Sequence, residues 1–504
     1  MAGSPPSAAP VLPDGLVAVV KRDCPTCVLV APVLDELAAR GAALTVYTQD
    51  DLAFPLTAVP VADDTNLAVS WHHGIETVPT LIRVKDGSEV ERTVGWSRSH
   101  WEALAHVEGL GAGLPEMRPG CGSLSLDPDL ADVLAVRFSG SVLRGRRIEL
   151  AALEDEMEAT FDRGWTDGLP VVPPTEARVL RMLAGTSRDP ADIVAVVPPD
   201  LTAVTVEQVA INAVLAGCRP EYLPVVLAAV EAACTEEFNI HGLLATTYFS
   251  GPIVVVNGPI AQRIGMNSTN NVLGQGNRAN LTIGRALQLV VANLGGGRPG
   301  RLGRPGIDMA LMGAPGKIGC AFAEREADSP FEPLAVERGL APGVDAVTLF
   351  AGHGPTAIVD QLSRSPESVT RSIAAALRAH GHPKLALGFD AMLVVGPEHG
   401  RLLREAGWDK VRFRAELDEL LMMDVDDIVQ GVDGIDEGMP ASMAGRRVPK
   451  FRPGGLQIVH AGGDAGLFSA ILGGWVGGAK GSTPVTHPVT DIPSTVPSPP
   501  GGPA

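Results

Sequence analysis

Cys24 and Cys27 stand two residues apart, between an apolar stretch at 16–21 and a run at 25–40 that predicts a helix. A C-x-x-C motif in this position is typical of a redox-active dithiol. Its first cysteine lies at a helix N-terminus, where free backbone N–H groups and the helix dipole favour the thiolate. The alternative, half of a zinc site, lacks a second pair of ligands nearby. The motif therefore predicts Cys24 as the attacking thiol and Cys27 as the resolving thiol.

The pattern around the dithiol predicts a small α/β unit with strands at 16–21, 43–48, 80–84 and 89–93 and helices at 25–40, 66–72 and 98–107. Together with the run GIETVPT at 74–80, residues 15–108 resemble the thioredoxin family. That resemblance implies a thioredoxin fold in which the Val78-Pro79 bond is cis and faces the dithiol. It also makes Pro79 a substrate-docking residue. We take 15–110 as this domain.

A third cysteine, Cys121, lies in the Gly/Pro-rich segment 111–147, which we expect to be a linker. Its neighbours Gly120 and Gly122 leave the backbone free to approach a partner closely. About a dozen residues separate it from the first unit, and an extended chain of that length spans roughly 40 Å. Cys24 can therefore meet Cys121. We interpret Cys121 as a catalytic thiol, with an incidental loop thiol as the alternative.

The run RPGCGSL at 118–124, followed by RGWTDGLPVVPPTEARV at 163–179, resembles the UGSC-type (seleno)protein family. The similarity continues to about Gly474. Cys121 takes the selenocysteine position, and Leu124 stands where the second cysteine of that family would be. The resemblance implies a redox-active centre without naming a substrate. It also implies that a fused dithiol supplies the missing resolving thiol.

Residues 148–482 alternate longer helices with short, continuously apolar strands. Such strands are typical of a parallel sheet that is covered on both faces. We therefore predict a large α/β catalytic domain with a mostly parallel sheet. The termini, 1–14 and 483–504, are rich in Pro, Gly, Ser and Thr, and we expect both to be disordered.

An Asn/Gly-rich loop at 265–280 precedes a predicted helix at 281–293. Asn277, Arg278 and Asn280 are candidate substrate-binding residues, because loop amides, an arginine and a helix N-terminus can hold a carboxylate or phosphate. Asn280 is also the expected cap of this helix. A structural loop is the alternative, since asparagine side chains build turns equally well.

Of the remaining cysteines, Cys320 follows a glycine turn and is a possible second thiol of the large domain. Cys218 and Cys234 lie in apolar helical stretches, which favours packed core thiols. No spacing of histidine or cysteine predicts a metal site, and no motif predicts a flavin, haem or nicotinamide cofactor.

The chain carries 58 acidic and 40 basic residues and a formal net charge of −18, which argues against nucleic acid or an anionic membrane as a partner. No signal peptide pattern precedes the first unit, and six cysteines in 504 residues are too few for a disulfide scaffold. We expect a cytoplasmic protein of open oligomeric state.

These observations predict a thiol-dependent oxidoreductase. In this hypothesis the Cys121 thiolate reacts with a small, anionic organic substrate, the Cys24/Cys27 dithiol resets it, and an external thiol reductase restores the dithiol. Two alternatives stay open. One is a protein-disulfide reductase whose large domain docks clients, and the other is a non-redox lyase or hydrolase that keeps a structural thioredoxin domain.

Overall fold

The computed structural model describes residues 9–55, 58–140, 143–151, 153–300, 307–428, 439, 441–479 and 481–493. The chain divides into two compact units, Met1–Val142 and Leu143–Ala504. Each unit has its own buried core. None of the helices in the described ranges is long and apolar enough to cross a membrane.

The first unit contains nine strands and four helices among its described residues. They are β1 (Gly15–Val20), α1 (Pro25–Ala39), β2 (Leu44–Thr48), β3 (Val61–Asp63), α2 (Ala68–His72), β4 (Thr77–Val78), β5 (Thr80–Lys85), β6 (Ser88–Val94), β7 (Trp96–Ser97), α3 (Arg98–Ala105), β8 (Met117–Arg118), β9 (Cys121–Gly122) and α4 (Pro128–Phe138).

Five of these strands form a central sheet in the order β3-β2-β1-β5-β6. Strand β1 runs parallel to β2 and antiparallel to β5. The five residues after Gly15 in β1 are all buried, because α1 covers one face with Val30, Val33 and Leu34. This arrangement places the start of α1 at the carboxyl end of the central strand β1, next to the β4–β5 turn.

The segment predicted as a linker, 111–147, is structured up to Phe138 and belongs to the first unit as far as Val142. Its extended part pairs with the body of the unit: β8 lies antiparallel to β7, and β9 lies antiparallel to β4. A Gly/Pro-rich composition predicts an irregular chain. Two strands can nevertheless pair through their backbones without apolar side chains, so β8 and β9 could not be predicted from the composition.

The second unit has eleven strands and eleven helices in its described ranges. They are α5 (Glu156–Asp162), α6 (Glu176–Leu183), β10 (Ile193–Val197), β11 (Thr202–Thr205), α7 (Val206–Ala216), α8 (Leu223–Ala233), α9 (Ile240–Ala245), β12 (Gly251–Asn257), α10 (Pro259–Arg263), α11 (Arg278–Asn293), β13 (Cys320–Ala323), α12 (Leu334–Glu337), β14 (Ala346–Val359), α13 (Pro366–Ala379), β15 (Phe389–Val395), α14 (Pro397–Glu405), α15 (Lys410–Leu420), β16 (Met422–Asp424), β17 (Arg447–Pro449), β18 (Leu456–His460), β19 (Phe468–Val476) and β20 (Val485–Pro488).

The α/β class of this unit is confirmed, but its main sheet is mixed. The strand order is β13-β12-β14-β19-β15-β18, with β20 also paired to β14. Of the six pairings in the described part of this sheet, β12–β13 and β15–β18 are parallel and four are antiparallel. The expectation of a mostly parallel sheet is therefore wrong. A continuously apolar strand reports burial on both faces, and a covered antiparallel strand has the same pattern.

Both termini that were expected to be disordered carry ordered residues. Leu12 is 2% exposed and packs in the core of the first unit. Strand β20 lies in the predicted tail and pairs with the start of β14. Residues 1–8 and 494–504 of these predicted tails lie outside the described residues.

Candidate redox site

Cys24 is the N-cap of α1 and is held by the backbone of the helix that it begins. The Cys27 N–H donates to Cys24 Sγ at 3.3 Å. Pro25 occupies the first turn, where its missing N–H has no intrahelical partner to lose. Cys24 is 1% exposed and Cys27 is fully buried. The predicted helix start and dithiol position are confirmed.

The turn between β4 and β5 faces the dithiol. The Val78-Pro79 bond is cis, as the family resemblance implied. Cys24 Sγ lies 3.4 Å from the Val78 carbonyl oxygen, close enough for the protonated thiol to donate to it. The turn therefore supplies a backbone acceptor directly beside the attacking sulfur.

Cys121 lies on the strand that pairs with β4, directly before that turn. In the antiparallel pairing of β4 with β9, Cys121 is opposite Val78 and Gly122 is opposite Thr77. Cys121 and Cys24 lie close enough for each side chain to shift the pKa of the other. Three cysteines, two from the motif and one about a hundred residues away, thus form one cluster within the first unit.

The approach of Cys121 depends on a glycine. A Cβ at Gly120 would overlap Thr77 Cγ2 and would lie 2.7 Å from the Val78 carbonyl oxygen. A Cβ at Gly122 would meet nothing within 4 Å. The expectation that glycines permit a close approach is therefore confirmed at Gly120 and has no counterpart at Gly122.

The chain on both sides of Cys121 is fixed by hydrogen bonds. Thr26 Oγ1, between the two cysteines of the motif, donates to the Pro119 carbonyl at 2.7 Å. Downstream, buried Gln49 donates to Ser123 Oγ at 2.6 Å and accepts from the Leu124 N–H at 3.1 Å. Sequence reasoning missed Gln49, because a glutamine after a strand carries no signal for a partner 74 residues away.

The cluster holds a thiolate at Cys24. Hydrogen bonding from the Cys27 side chain is the main cause that lowers the pKa of Cys24, from 9.0 to about 5, against the opposing effect of burial. The Cys121 side chain and the N–H groups of Cys27 and Thr26 add to the lowering. At neutral pH Cys24 is therefore ionised.

The other two sulfurs keep their protons. Burial raises the pKa of Cys27, and its hydrogen bond to Cys24 raises it further. Burial also raises the pKa of Cys121, followed by its hydrogen bond to Cys24 and the charge on Cys24. The reduced cluster thus carries its charge on Cys24, whereas the sequence hypothesis began with a Cys121 thiolate.

Comparison with known proteins shows that part of the first unit is similar to thioredoxins. The chain is 36% identical over 72 residues to Thioredoxin 1 of Synechococcus elongatus, and 40% identical over 73 residues to the thioredoxin of Mycolicibacterium smegmatis. Each match covers 14% of this chain and 57% or 56% of the relative, so the chain spans less than two thirds of these relatives.

The first unit contains a thioredoxin-like domain. This similarity supports thiol-disulfide oxidoreductase activity in general for that part of the chain. No family model matches the chain, and no solved structure matches it.

The predicted substrate-binding residues of the second unit form hydrogen bonds within that unit. Helix α11 begins at Arg278 and its cap is Asn277, which accepts from the Asn280 N–H at 3.0 Å. The expectation that Asn280 caps the helix is wrong, because Asn280 already lies in the first turn. It is 3% exposed, accepts from the Asn267 N–H and donates to the Asn267 carbonyl. Arg278 is exposed and donates to the Gly217 carbonyl.

The cysteines of the second unit are one buried and two partly buried thiols. Burial raises the pKa of Cys320 to about 11 and the pKa values of Cys218 and Cys234 to about 12. All three remain protonated at neutral pH, so Cys320 has no feature of an activated thiol. Within the described ranges, no group of three or more His, Cys, Asp or Glu side chains could hold a metal ion.

Two strand ends of the second unit meet at a buried carboxyl group. Asn257, which ends β12, donates to Glu324 at 2.7 Å, and the backbone N–H of His460, which ends β18, lies 3.4 Å from the other oxygen. Burial raises the pKa of Glu324. This cluster joins the loops after β12, β13 and β18.

Proposed function

We propose that the protein is a thiol-disulfide oxidoreductase in which Cys121 exchanges disulfides with the Cys24/Cys27 dithiol of its own thioredoxin-like domain. The supporting observation is the antiparallel pairing that sets Cys121 opposite Val78 and against Cys24. Disulfide exchange proceeds by attack of a thiolate on a sulfur atom, so the attacking and receiving sulfurs must be neighbours.

The first step uses Cys121, because it is partly exposed whereas Cys24 is 1% exposed. A proton moves from Cys121 to Cys24, whose thiol then donates to the Val78 carbonyl. The Cys121 thiolate attacks a disulfide R–S–S–R. The S–S bond of the substrate breaks and Cys121–S–S–R forms. The leaving R–S⁻ takes the proton from Cys24, which becomes a thiolate again.

The dithiol then clears the adduct. The Cys24 thiolate attacks the Cys121 sulfur, forms Cys24–S–S–Cys121 and releases the second R–S⁻. Cys27 transfers its proton to that leaving group, attacks Cys24 and releases the Cys121 thiolate. Two electrons have passed from the dithiol to the substrate disulfide, and an external dithiol reduces Cys24–S–S–Cys27 by the same exchange.

The substrate that we propose is a small anionic disulfide. Burial raises the pKa of Cys121, and the charge on Lys21 opposes that increase. A cation there favours the thiolate and attracts a negatively charged substrate. On the UGSC-type resemblance, the second unit is the substrate-binding domain, and Cys24 replaces the second cysteine that Leu124 displaces.

The test is to expose the full chain to oxidised glutathione, a small anionic disulfide, and to locate the adducts by mass spectrometry. The Cys24→Ser variant keeps glutathione on Cys121, because no neighbouring thiolate removes it. The wild type accumulates Cys24–S–S–Cys27 without a stable adduct. Cys320→Ser is the matched control and behaves as the wild type. An adduct elsewhere, or an equally stable Cys121 adduct in the wild type, contradicts the proposal.

A further inference from the structure

We propose that residues 117–126 are a built-in peptide that occupies the docking edge of the thioredoxin-like domain and closes its dithiol to protein disulfides. The docking segment, as we call these residues, contains the thiol that the dithiol serves. This inference rests on the proposed function and adds a restriction: the domain reduces Cys121 of its own chain and excludes protein clients.

The docking segment pairs in an extended conformation with two short strands of the first unit. Arg118 pairs with Trp96 in β7, and Cys121 pairs with Val78 in β4. An extended peptide that binds in this way takes its affinity from the main-chain groups of the edge it joins. A client peptide that needs the same groups of Val78 therefore finds them occupied.

The fit leaves no space for a second chain. A Cβ at Gly95 would lie 2.8 Å from the Gly120 nitrogen, and a Cβ at Gly120 would overlap Thr77. Thr26 binds the Pro119 carbonyl across the mouth of the motif. These contacts leave Cys24 only 1% exposed, although reactive cysteines commonly sit in partly exposed sites.

The downstream end of the docking segment is anchored in the interior. Ser123 and Ser125 are each 4% exposed. The Ser123 N–H donates to the Glu76 carbonyl at 2.9 Å, and Ser125 Oγ donates to the Ile75 carbonyl at 2.8 Å. Both carbonyls belong to the chain that leads into β4. The segment thus remains seated through groups that take no part in the sulfur chemistry.

The experiment compares the full-length wild type with Gly120→Val in the reduction of insulin by dithiothreitol. The added side chain overlaps Thr77 and expels the segment, so insulin reduction rises about 10- to 100-fold, the range that an overpacking penalty corresponds to. Gly113→Val is the matched control, because a Cβ there meets nothing within 4 Å. It leaves the rate at the wild-type value.

A second variant adds no bulk. Ser123→Ala removes the side-chain bonds to Gln49 and Ser125 and keeps the backbone bond to Glu76. It raises both insulin reduction and the iodoacetamide labelling of Cys24 about fivefold, the net effect expected for the loss of these side-chain hydrogen bonds. Equal rates in the wild type, Gly120→Val and Ser123→Ala overturn the inference. If the dithiol still releases glutathione from Cys121 in that case, the proposed function stands and only the exclusion of clients fails.

Discussion

Cys24 of the first unit and Cys320 of the second have pKa values shifted in opposite directions. In the second unit, burial raises the pKa of Cys320 to about 11. In the first, Cys24 is only 1% exposed, yet hydrogen bonding lowers its pKa to about 5. The difference is the number of donors: Cys24 receives the side chains of Cys27 and Cys121 and two backbone N–H groups. Donors aimed at a sulfur therefore decide whether a buried cysteine is a reagent or a packing residue.

The largest effect is expected when one cysteine is replaced in each unit and the two variants are compared. Cys24→Ser lowers the rate at which oxidised glutathione is turned over by at least about 1,000-fold, as expected for loss of an essential nucleophile. Cys320→Ser leaves that rate unchanged. The measurement is glutathione release with dithiothreitol as the external reductant. A comparable loss in both variants would place chemistry in the second unit.

Thiolate absorbance at 240 nm, measured as a function of pH, tests the difference in cysteine pKa between the two units. One thiol titrates with a midpoint near 5, and this step disappears in Cys24→Ser. Cys27→Ala raises the midpoint more than Cys121→Ala, because the Cys27 side chain is the main cause of the lowered pKa. Cys320→Ala leaves it unchanged. A midpoint near 9 in the wild type would contradict the assigned thiolate.

The lowered pKa of Cys24 also makes the free energy of unfolding depend on pH. Between pH 5 and 9 the folded protein binds fewer protons at Cys24 than the unfolded chain does, since its pKa falls on folding. The contribution of Cys24 is fully present above pH 9 and is lost as the pH falls to 5. Urea unfolding of Cys24→Ser should lack this component and match the wild type more closely at pH 5 than at pH 8.

The smallest expected effects concern the asparagines of the second unit. Asn277→Ala removes a helix cap and lowers the free energy of unfolding by about 1 kcal/mol. Asn280→Ala removes a buried residue with bonds to Asn267 and lowers it by about 2 kcal/mol. Urea titration measures both. Neither variant changes disulfide exchange in the first unit; a specific loss of glutathione turnover without loss of stability would make these residues substrate ligands.

The features that could be predicted from the sequence are those that depend on contacts between residues close together in the chain. Cys24, Pro25 and Cys27 specify their own helix start, so the dithiol is readable from the motif. The glycines beside Cys121 indicated a close approach, but its partner strand, β4, is two residues long and has no periodicity. Gln49 had no local signal either, and the direction of β14 could not be read from an apolar run that fits either orientation.

The central claim is that Cys121 is the exchange partner of Cys24, and trapping their disulfide tests it most directly. The Cys27→Ser variant of the full chain is oxidised mildly and mapped by non-reducing peptide mass spectrometry. With no resolving thiol, we expect a single new linkage, Cys24–S–S–Cys121, in nearly every chain, while Cys218, Cys234 and Cys320 stay free. Chains in which Cys24 and Cys121 remain unlinked, or in which Cys24 pairs with another cysteine, would contradict the account.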